Sequence, residues 1–130
     1  MSLCSDVWEA LHDDYDDHVR SVTCYHPADF ETRYREDLGE MYTTGELQSI
    51  VDDVIVQQLG YERTDTELKT GDLHAIVQVY DDSWLVLWPD QLDGKSGFMI
   101  SLQRGESGID PTVLDDVVRY LNEDVAPRIS

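Results

Sequence analysis

Two histidines in an acidic stretch are the residues of this chain that most resemble a metal site. Residues 12–18 read HDDYDDH. On a helix, His12 and Asp16 lie four residues apart and share a face, and Asp14 and His18 have the same spacing. Imidazole and carboxylate together can bind zinc or manganese. A closed site needs three or four ligands, and the spacing supplies no further histidine. The pattern therefore favours a solvated acidic helix end, with His12, Asp16 and His18 as candidate ligands.

A cysteine and a histidine two residues apart are the candidates for nucleophilic chemistry. Cys24 and His26 fall in a predicted strand, where alternate residues face the same side. A thiolate stabilised by an imidazole is an activated nucleophile. No Asn or Asp stands at a spacing that would orient the histidine. Cys4 and Cys24 also lack CxxC spacing, and we expect two thiols in a reducing cytoplasm, with Cys24 buried in a strand beside a histidine in a turn.

Adjacent carboxylates are the last candidates for catalysis, and three such pairs occur: 52–53, 81–82 and 115–116. Neighbouring helical residues point in different directions, and one pair falls in a predicted turn, so paired acid–base chemistry is disfavoured. The sequence has no glycine-rich phosphate loop, no GxSxG and no HExxH. We therefore expect a protein that is not an enzyme and that needs no cofactor.

The charge of the chain indicates its environment. There are 28 acidic residues against nine basic ones, a formal net charge of −19, and only two of the basic residues are lysines. At low ionic strength so many like charges repel one another and oppose the compact state. Molar salt shortens the Debye length to about 3 Å and screens this repulsion. Acids occur in every segment, whereas a mimic of nucleic acid or a ligand for a basic partner would concentrate them. The composition therefore predicts a halophilic archaeal protein, and without a basic stripe it disfavours binding to nucleic acid.

Hydropathy indicates where the protein resides. No stretch approaches the ~18 apolar residues of a membrane span, and the N-terminus lacks a basic and then apolar signal peptide. A length of 130 residues is the size of one ordinary domain. We expect a single domain over residues 1–130, located in the cytoplasm without membrane association.

The first half of the chain predicts a helix, a β-hairpin and a second helix. Their expected ranges are 5–18, 19–25, 30–35 and 43–60. Thr43 and Glu46 form a capping box that begins the second helix, and Gly60 stands where a C-terminal cap is expected. The apolar stripe of this helix consists of Leu47, Ile50, Val51, Val54, Ile55 and Leu59.

The second half predicts three strands and a closing helix. Polar residues 61–70 and turn-forming residues 89–97 are expected to be loops, and the strands are expected at 73–80, 84–88 and 98–102. Asp110 and Pro111 begin the last helix as N-cap and first-turn residue, and Pro127 is placed beyond its end. Its apolar stripe consists of Leu114, Val117, Val118 and Leu121.

The element order α-β-β-α-β-β-β-α predicts an α+β fold, a five-stranded antiparallel sheet with three helices. This order resembles the roadblock family of profilin-like folds. The resemblance implies a homodimer that regulates or scaffolds small GTPases and motors. Residues 71–75 (GDLHA) and 97–102 (GFMISL) also resemble small haloarchaeal proteins of unknown function.

The strand at 84–88 is apolar on both faces. Trp84, Val86 and Trp88 share one face, and Leu85 and Leu87 share the other. Either helices cover both faces, or one face meets a partner, and aromatic residues are enriched in interface cores. We therefore expect an interaction domain, a homodimer that pairs through a sheet edge or a helix face. The interface candidates are Trp84, Val86 and Trp88. The alternative is a sensor that binds a small ligand or a metal.

Overall fold

A computed structural model of the protein describes residues 2–26, 29–39, 41–67, 69–89, 96–105 and 108–129, and in 62–67 the backbone alone. The strands are β1 (Val19–His26), β2 (Asp29–Tyr34), β3 (Ile76–Val79), β4 (Ser83–Pro89) and β5 (Gly97–Gln103). The helices are α1 (Leu3–Tyr15), α2 (Thr44–Glu67) and α3, which runs from Thr112–Tyr120 through Leu121–Val125 to Ala126–Ile129. The predicted α+β class and element order are confirmed.

All five strands form one antiparallel sheet in the order β2-β1-β5-β4-β3. The two hairpins of the chain meet where β1 pairs with β5, with Cys24 opposite Phe98. β4 pairs with β5 on its other side, with Val86 opposite Ile100. The strand order makes β2 and β3 the two edges.

One face of the sheet packs against α1 and α3. Alternation places Phe98, Ile100 and Leu102 of β5 on this face, as their two-residue spacing predicts. The helices contribute Cys4, Val7, Leu11, Val117, Leu121 and Val125. This is the larger of the two apolar cores.

The opposite face packs against α2. Val51, Val54 and Ile55 of the helix meet Leu87 and Met99 of the sheet. Helices therefore cover both faces, and this accounts for a β4 strand that is apolar on both sides.

α1 is shorter at its C-terminus than the range of 5–18 predicted from the sequence. The Ser2 side chain caps its N-terminus by accepting from the Ser5 N–H. The helix ends at Tyr15 because Asp16 has a φ of 51° and its N–H returns to the His12 carbonyl. Asp16–His18 form a 3₁₀ turn, so the prediction of a helix over 5–18 was wrong beyond residue 15. Acidic residues oppose the dipole at this end of a helix.

The capping box of α2 is confirmed. The Thr43 N–H donates to the Glu46 carboxylate at 3.0 Å, and the Glu46 N–H donates to the Thr43 hydroxyl at 3.1 Å. The predicted end at Gly60 was wrong, because the helical backbone continues to Glu67. Residues 61–67 are therefore helix and not loop. A helical glycine loses only about 1 kcal/mol relative to alanine, which is too little to end a helix by itself.

The apolar stripe of α2 also differs from its prediction at one position. Gln58 is buried, whereas Leu59 is 37% exposed. The predicted stripe placed Leu59 toward the core, so that assignment was wrong. The buried amide is tolerated because it is hydrogen-bonded to Tyr25, as described below.

α3 begins at Thr112, one residue after the predicted start at Pro111, and the Asp110 carboxylate accepts from the Thr112 N–H at 2.9 Å. Its middle turn, Leu121–Val125, is π-helical. Pro127 lies in the helical segment that follows, so the prediction that it stands beyond the helix was wrong. The wider turn directly before it gives the proline ring room that a regular α-helix lacks.

The strands differ from their predicted ranges at the ends. β3 begins at Ile76 and not at residue 73, and β4 continues through Pro89. The predicted turn before β2 and the predicted loop before β5 fall partly on residues 27–28 and 90–95, which lie outside the described residues.

Candidate functional site

The two histidines of the acidic segment bind backbone carbonyls. His12 Nδ1 lies 2.8 Å from the Asp16 carbonyl oxygen, and the His12 ring stacks on Trp8 with centroids 5.4 Å apart. His18 Nδ1 lies 3.1 Å from the Tyr15 carbonyl oxygen. An oxygen can only accept here, so each of these nitrogens is a donor. The contacts hold the end of α1 in place.

The segment does not form a metal cage in the described part of the chain. Among those residues, no group of three or more His, Cys, Asp or Glu side chains is arranged to hold a metal ion. Because α1 ends at Tyr15, the helical spacing that would align Asp14 with His18 is broken.

Cys24 and His26 do come together, in a cavity of about 420 Å³. This Cys24 cavity lies between the first turn of α1, the ends of β1 and β2, and the C-terminus of α3. Its walls include Cys4, Cys24, His26, Glu31, Phe98 and Ile129. Alternation along β1 places Cys24 and His26 on the same side, as the sequence predicts.

Cys4 is the thiol that the sequence does not single out, and it belongs to the same cavity. Its side chain is buried, and its Sγ lies 3.6 Å from the Val22 carbonyl oxygen and 3.4 Å from the Glu31 carbonyl oxygen. Burial, with the nearby Cys24 and Glu31 adding to it, raises the pKa of Cys4 to about 12. Cys4 is therefore a neutral thiol near pH 7.

The predicted interface residues of β4 lie beneath α1 and α3. Val86 is fully buried, and Trp88 is buried with its Nε1 donating to Asn122 Oδ1 at 2.9 Å. Trp84 is partly buried, and the Arg104 guanidinium lies over its ring at 5.1 Å. All three side chains thus contribute to packing within the chain.

Exposed apolar side chains lie instead on the edge strand β3. Val77 is 40% exposed, Val79 56% and Tyr80 53%. We call residues 76–80 the β3 edge. It extends the face that holds Val86, because Val77 pairs with Val86 across the ladder. Sequence reasoning missed it because β3 becomes an edge only once the strand order is known.

The backbone of the β3 edge is also unpaired on one side in the described structure. The Tyr80 N–H donates to the Ser83 carbonyl at 2.8 Å. Every second residue of a strand turns its N–H and C=O groups toward the same neighbouring strand. The backbone groups of Ile76 and Gln78 therefore also point toward β4. The N–H and C=O groups of Val77 and Val79 therefore point away from the sheet.

The opposite edge, β2, has a different character. It carries Asp29, Glu31 and Arg33, and the Arg33 guanidinium lies 3.7 Å from the Glu31 carboxylate. Charged side chains on an edge strand oppose pairing with another chain. The two edges thus differ in chemistry: β2 is charged, and the β3 edge carries no charged side chain.

An arginine at the end of β2 joins three parts of the fold. Arg35 Nη1 donates to the Asp17 carbonyl at 2.8 Å and to Gln103 Oε1 at 3.0 Å. Its Nε donates to Asp37 Oδ1 at 2.7 Å, and this hydrogen bond lowers the pKa of Asp37. These contacts are structural, since they fix the end of α1 and the turn Glu36–Leu38 against β5.

These features define an α+β domain with helices on both faces of an antiparallel sheet, a charge-free edge and a thiol-lined cavity. The chain belongs to the family described as Domain of unknown function (DUF7522), which matches residues 5–126. Comparison with curated proteins found no match. Across the described residues, every helix is too short or too polar to traverse a bilayer.

Proposed function

We propose that this protein is a non-enzymatic interaction domain, regulatory or scaffolding in role, that acts as a homodimer through the β3 edge. The observation that carries the proposal is the exposed, uncharged edge formed by Val77, Val79 and Tyr80. An edge strand of this kind is a ready template for a further strand.

Charge favours a second copy as the occupant. Two copies that each carry a net charge of −19 repel one another over most of their surfaces. They approach at lowest electrostatic cost where neither presents a charge, and residues 76–80 (IVQVY) contain none. A basic partner would instead be drawn to the acidic surfaces. A two-fold interface also requires a patch that is complementary to itself.

Among the antiparallel registers that the alternation along β3 allows, the one centred on residues 76–80 pairs both outward-facing valines. Val77 of one copy pairs with Val79 of the other, and each pair exchanges both backbone hydrogen bonds. Gln78 then lies on the two-fold axis, opposite Gln78 of the second copy. Continued past the strand, this register brings the exposed His74 of one copy opposite the exposed Asp82 of the other. This pair places an imidazole beside a carboxylate at both ends of the seam, where the ring can donate a hydrogen bond.

A cysteine on the axis tests the register. In a non-hydrogen-bonded antiparallel pair the Cα atoms are about 4.5 Å apart, a separation that a disulfide spans. In a Cys24→Ser background, Gln78→Cys should form a covalent dimer under mild oxidation. Val77→Cys, off the axis, and Val56→Cys, 70% exposed on α2, should remain monomeric on a non-reducing gel.

The oligomeric state tests the proposal independently of the register. We expect light scattering in molar potassium chloride to give twice the chain mass. Val79→Glu should yield a monomer, whereas Val56→Glu should leave the dimer intact. A monomeric wild-type chain overturns the homodimer, and a dimer that survives Val79→Glu places the seam elsewhere.

The Cys24 cavity supports a second candidate, a sensor for a small ligand. Its volume of about 420 Å³ lies within the range of ligand pockets, and apolar walls with a few polar groups are typical of such sites. Native mass spectrometry of freshly purified protein tests this reading. A retained small molecule that Phe98→Ala releases supports it, and a ligand-free mass counts against it.

The acidity leads us to propose a salt-rich archaeal cytoplasm as the working environment. The net charge of −19 and the two lysines support this proposal. Retention of the folded state in molar potassium chloride, with loss of it in dilute buffer, is the expected behaviour.

A further inference from the structure

Cys4 and Cys24 line the same cavity although they come from different elements. Cys4 lies in the first turn of α1, and Cys24 lies in β1, and no disulfide joins them. Cys4 Sγ is 3.4 Å from the carbonyl oxygen of Glu31, the residue directly opposite Cys24 in the ladder. The backbone of Cys24 also hydrogen-bonds to the Cys4 thiol. The Cys4 sulfur therefore lies against residue Cys24.

This shared neighbourhood leads us to expect that a bond between the two sulfurs can form. A disulfide requires Cα atoms about 4.4–6.8 Å apart and a rotation of each side chain. Cys4 Sγ lies 3.4 Å from the carbonyl of the residue paired with Cys24, and the proposal requires the two Cα atoms to fall within this range.

The two thiols differ in access. Cys4 is 1% exposed, whereas Cys24 is only partly buried and lines the open Cys24 cavity beside His26. A small oxidant that enters the cavity reaches Cys24 first. Cys4 is more deeply buried and is shielded from solvent.

We propose that Cys24 and Cys4 form a pair that a peroxide oxidises. Cys24 reacts with the oxidant, and Cys4 then reacts with the oxidised Cys24 to form an intramolecular disulfide. This inference is independent of the homodimer. It concerns the described residues of one copy and holds for a monomer as well as for a dimer.

The chemistry balances with a hydroperoxide as the two-electron oxidant. The Cys24 sulfur attacks the peroxide, the O–O bond breaks, and Cys24 sulfenic acid forms with release of an alcohol or water. The Cys4 sulfur then attacks the Cys24 sulfur, the S–O bond breaks, and the thiol proton leaves with the hydroxide as water. Both thiols are oxidised and the peroxide is reduced. The second step should accelerate with pH, since it uses the thiolate of a buried thiol.

Closure of this bond would tie α1 to the sheet. The cross-link removes freedom from the unfolded chain between residues 4 and 24, which raises the melting temperature. It also replaces the Cys4 hydrogen bonds to the Val22 and Glu31 carbonyls, so the wall of the Cys24 cavity changes shape on oxidation.

Oxidation of the reduced, full-length protein with hydrogen peroxide tests the proposal. Intact mass should fall by two hydrogens, peptide mapping should join residues 4 and 24 within one chain, and the melting temperature should rise by several degrees. Cys24→Ser should keep its Cys4 thiol at the same peroxide dose. Cys4→Ala should accumulate Cys24 sulfenic acid, seen as a several-fold increase in dimedone adduct.

The opposite results are equally clear. A wild-type chain that keeps both thiols, or one whose Cys24 proceeds to sulfinic acid as fast as in Cys4→Ala, overturns the pair. A disulfide between two chains on a non-reducing gel does the same. Circular dichroism of Cys4→Ala checks its fold. If that variant fails to fold, the wild type is oxidised in the presence of dimedone. Disulfide formation that outpaces dimedone capture of Cys24 sulfenic acid supports the pair, and capture without disulfide formation overturns it.

Discussion

At the scale of single residues, several polar side chains that could take part in chemistry hold the fold together instead. Tyr25 is an example: it is 1% exposed and its hydroxyl donates to Gln58 Oε1 at 2.6 Å. Gln58 Nε2 in turn donates to the Ser96 carbonyl at 3.2 Å. This chain of hydrogen bonds links β1 to α2 and to the start of β5 across an otherwise apolar core, and a buried polar pair is retained only when it is satisfied.

Removal of the Tyr25 hydroxyl should therefore destabilise the protein. Tyr25→Phe takes the donor from a buried amide, and we expect a loss of about 1–3 kcal/mol in the free energy of unfolding. Urea denaturation measures it. The matched control is Tyr34→Phe at a residue that is 42% exposed, where no change beyond a few tenths is expected. Equal effects of the two variants would contradict this role.

The buried Cys4 thiol gives a pH dependence of stability. Its pKa is raised to about 12 in the folded protein from an ordinary value of 9.0. The folded state then keeps a proton that the unfolded chain releases, so the stabilisation is complete below about pH 9 and is lost as the pH rises toward about 12. The loss is on the order of 1 kcal/mol per pH unit in that window.

Comparison with Cys4→Ala separates the contribution of Cys4 to stability from that of tyrosines and lysines, residue types that ordinarily lose protons over the same pH range. The variant should be less stable at pH 8 but should lose stability less steeply between pH 9 and pH 12. Parallel slopes for the two proteins in urea denaturation would show that Cys4 titrates as it does in water.

At the scale of elements, local signals predicted starts better than ends. The capping box of Thr43 and Glu46 is complete within four residues, so the sequence alone locates the start of α2. The end of α2 depends on competition between a helical glycine and the alternative of a left-handed cap, and the spacing of residues does not measure that competition. Only Gly71 and Gly105, among the described glycines, have positive φ.

Gly60 should consequently accept alanine. It has helical backbone, and no heavy atom lies within 4 Å of the position that a Cβ would take. Gly60→Ala should stabilise the protein by about 0.4–1 kcal/mol, because it restricts the unfolded chain without a clash. Gly71→Ala is the contrasting control, since its φ of +97° is strained for any residue with a Cβ, and it should destabilise by about 1–2 kcal/mol. Thermal denaturation of both variants measures the difference.

At the scale of the whole molecule, the sequence predicts the fold class but not the candidate sites. The order of periodic segments is enough for an antiparallel sheet with three helices. The exposure of the β3 edge depends on the strand order, and the shared cavity of Cys4 and Cys24 depends on how α1 packs on β1. Both are long-range relations that no local pattern contains. The same holds for β4, which has α1 and α3 from the two ends of the chain on one face and α2 from its middle on the other.

The net charge makes the stability of the whole molecule depend on salt. From about 0.1 M to about 1 M potassium chloride, the Debye length falls from about 10 Å to about 3 Å, and we expect the urea midpoint to rise. A variant that replaces the exposed Asp13, Asp14 and Asp17 with Asn carries three fewer negative charges. Its midpoint should respond less to salt. An unchanged midpoint in the wild type would contradict the proposed screening.

The π-helical turn Leu121–Val125 determines where the chain can change its length. Such a turn holds one residue more than an α-helical turn. Deletion of one residue there would restore a regular α-helix in which the following segment keeps its orientation, so Arg128 should stay beside Asp6, its ion-pair partner at 2.7 Å. In a strand, the same deletion would move every following side chain to the opposite face. Among relatives of this chain, single-residue length variation should therefore accumulate in α3 and be excluded from β1 and β5.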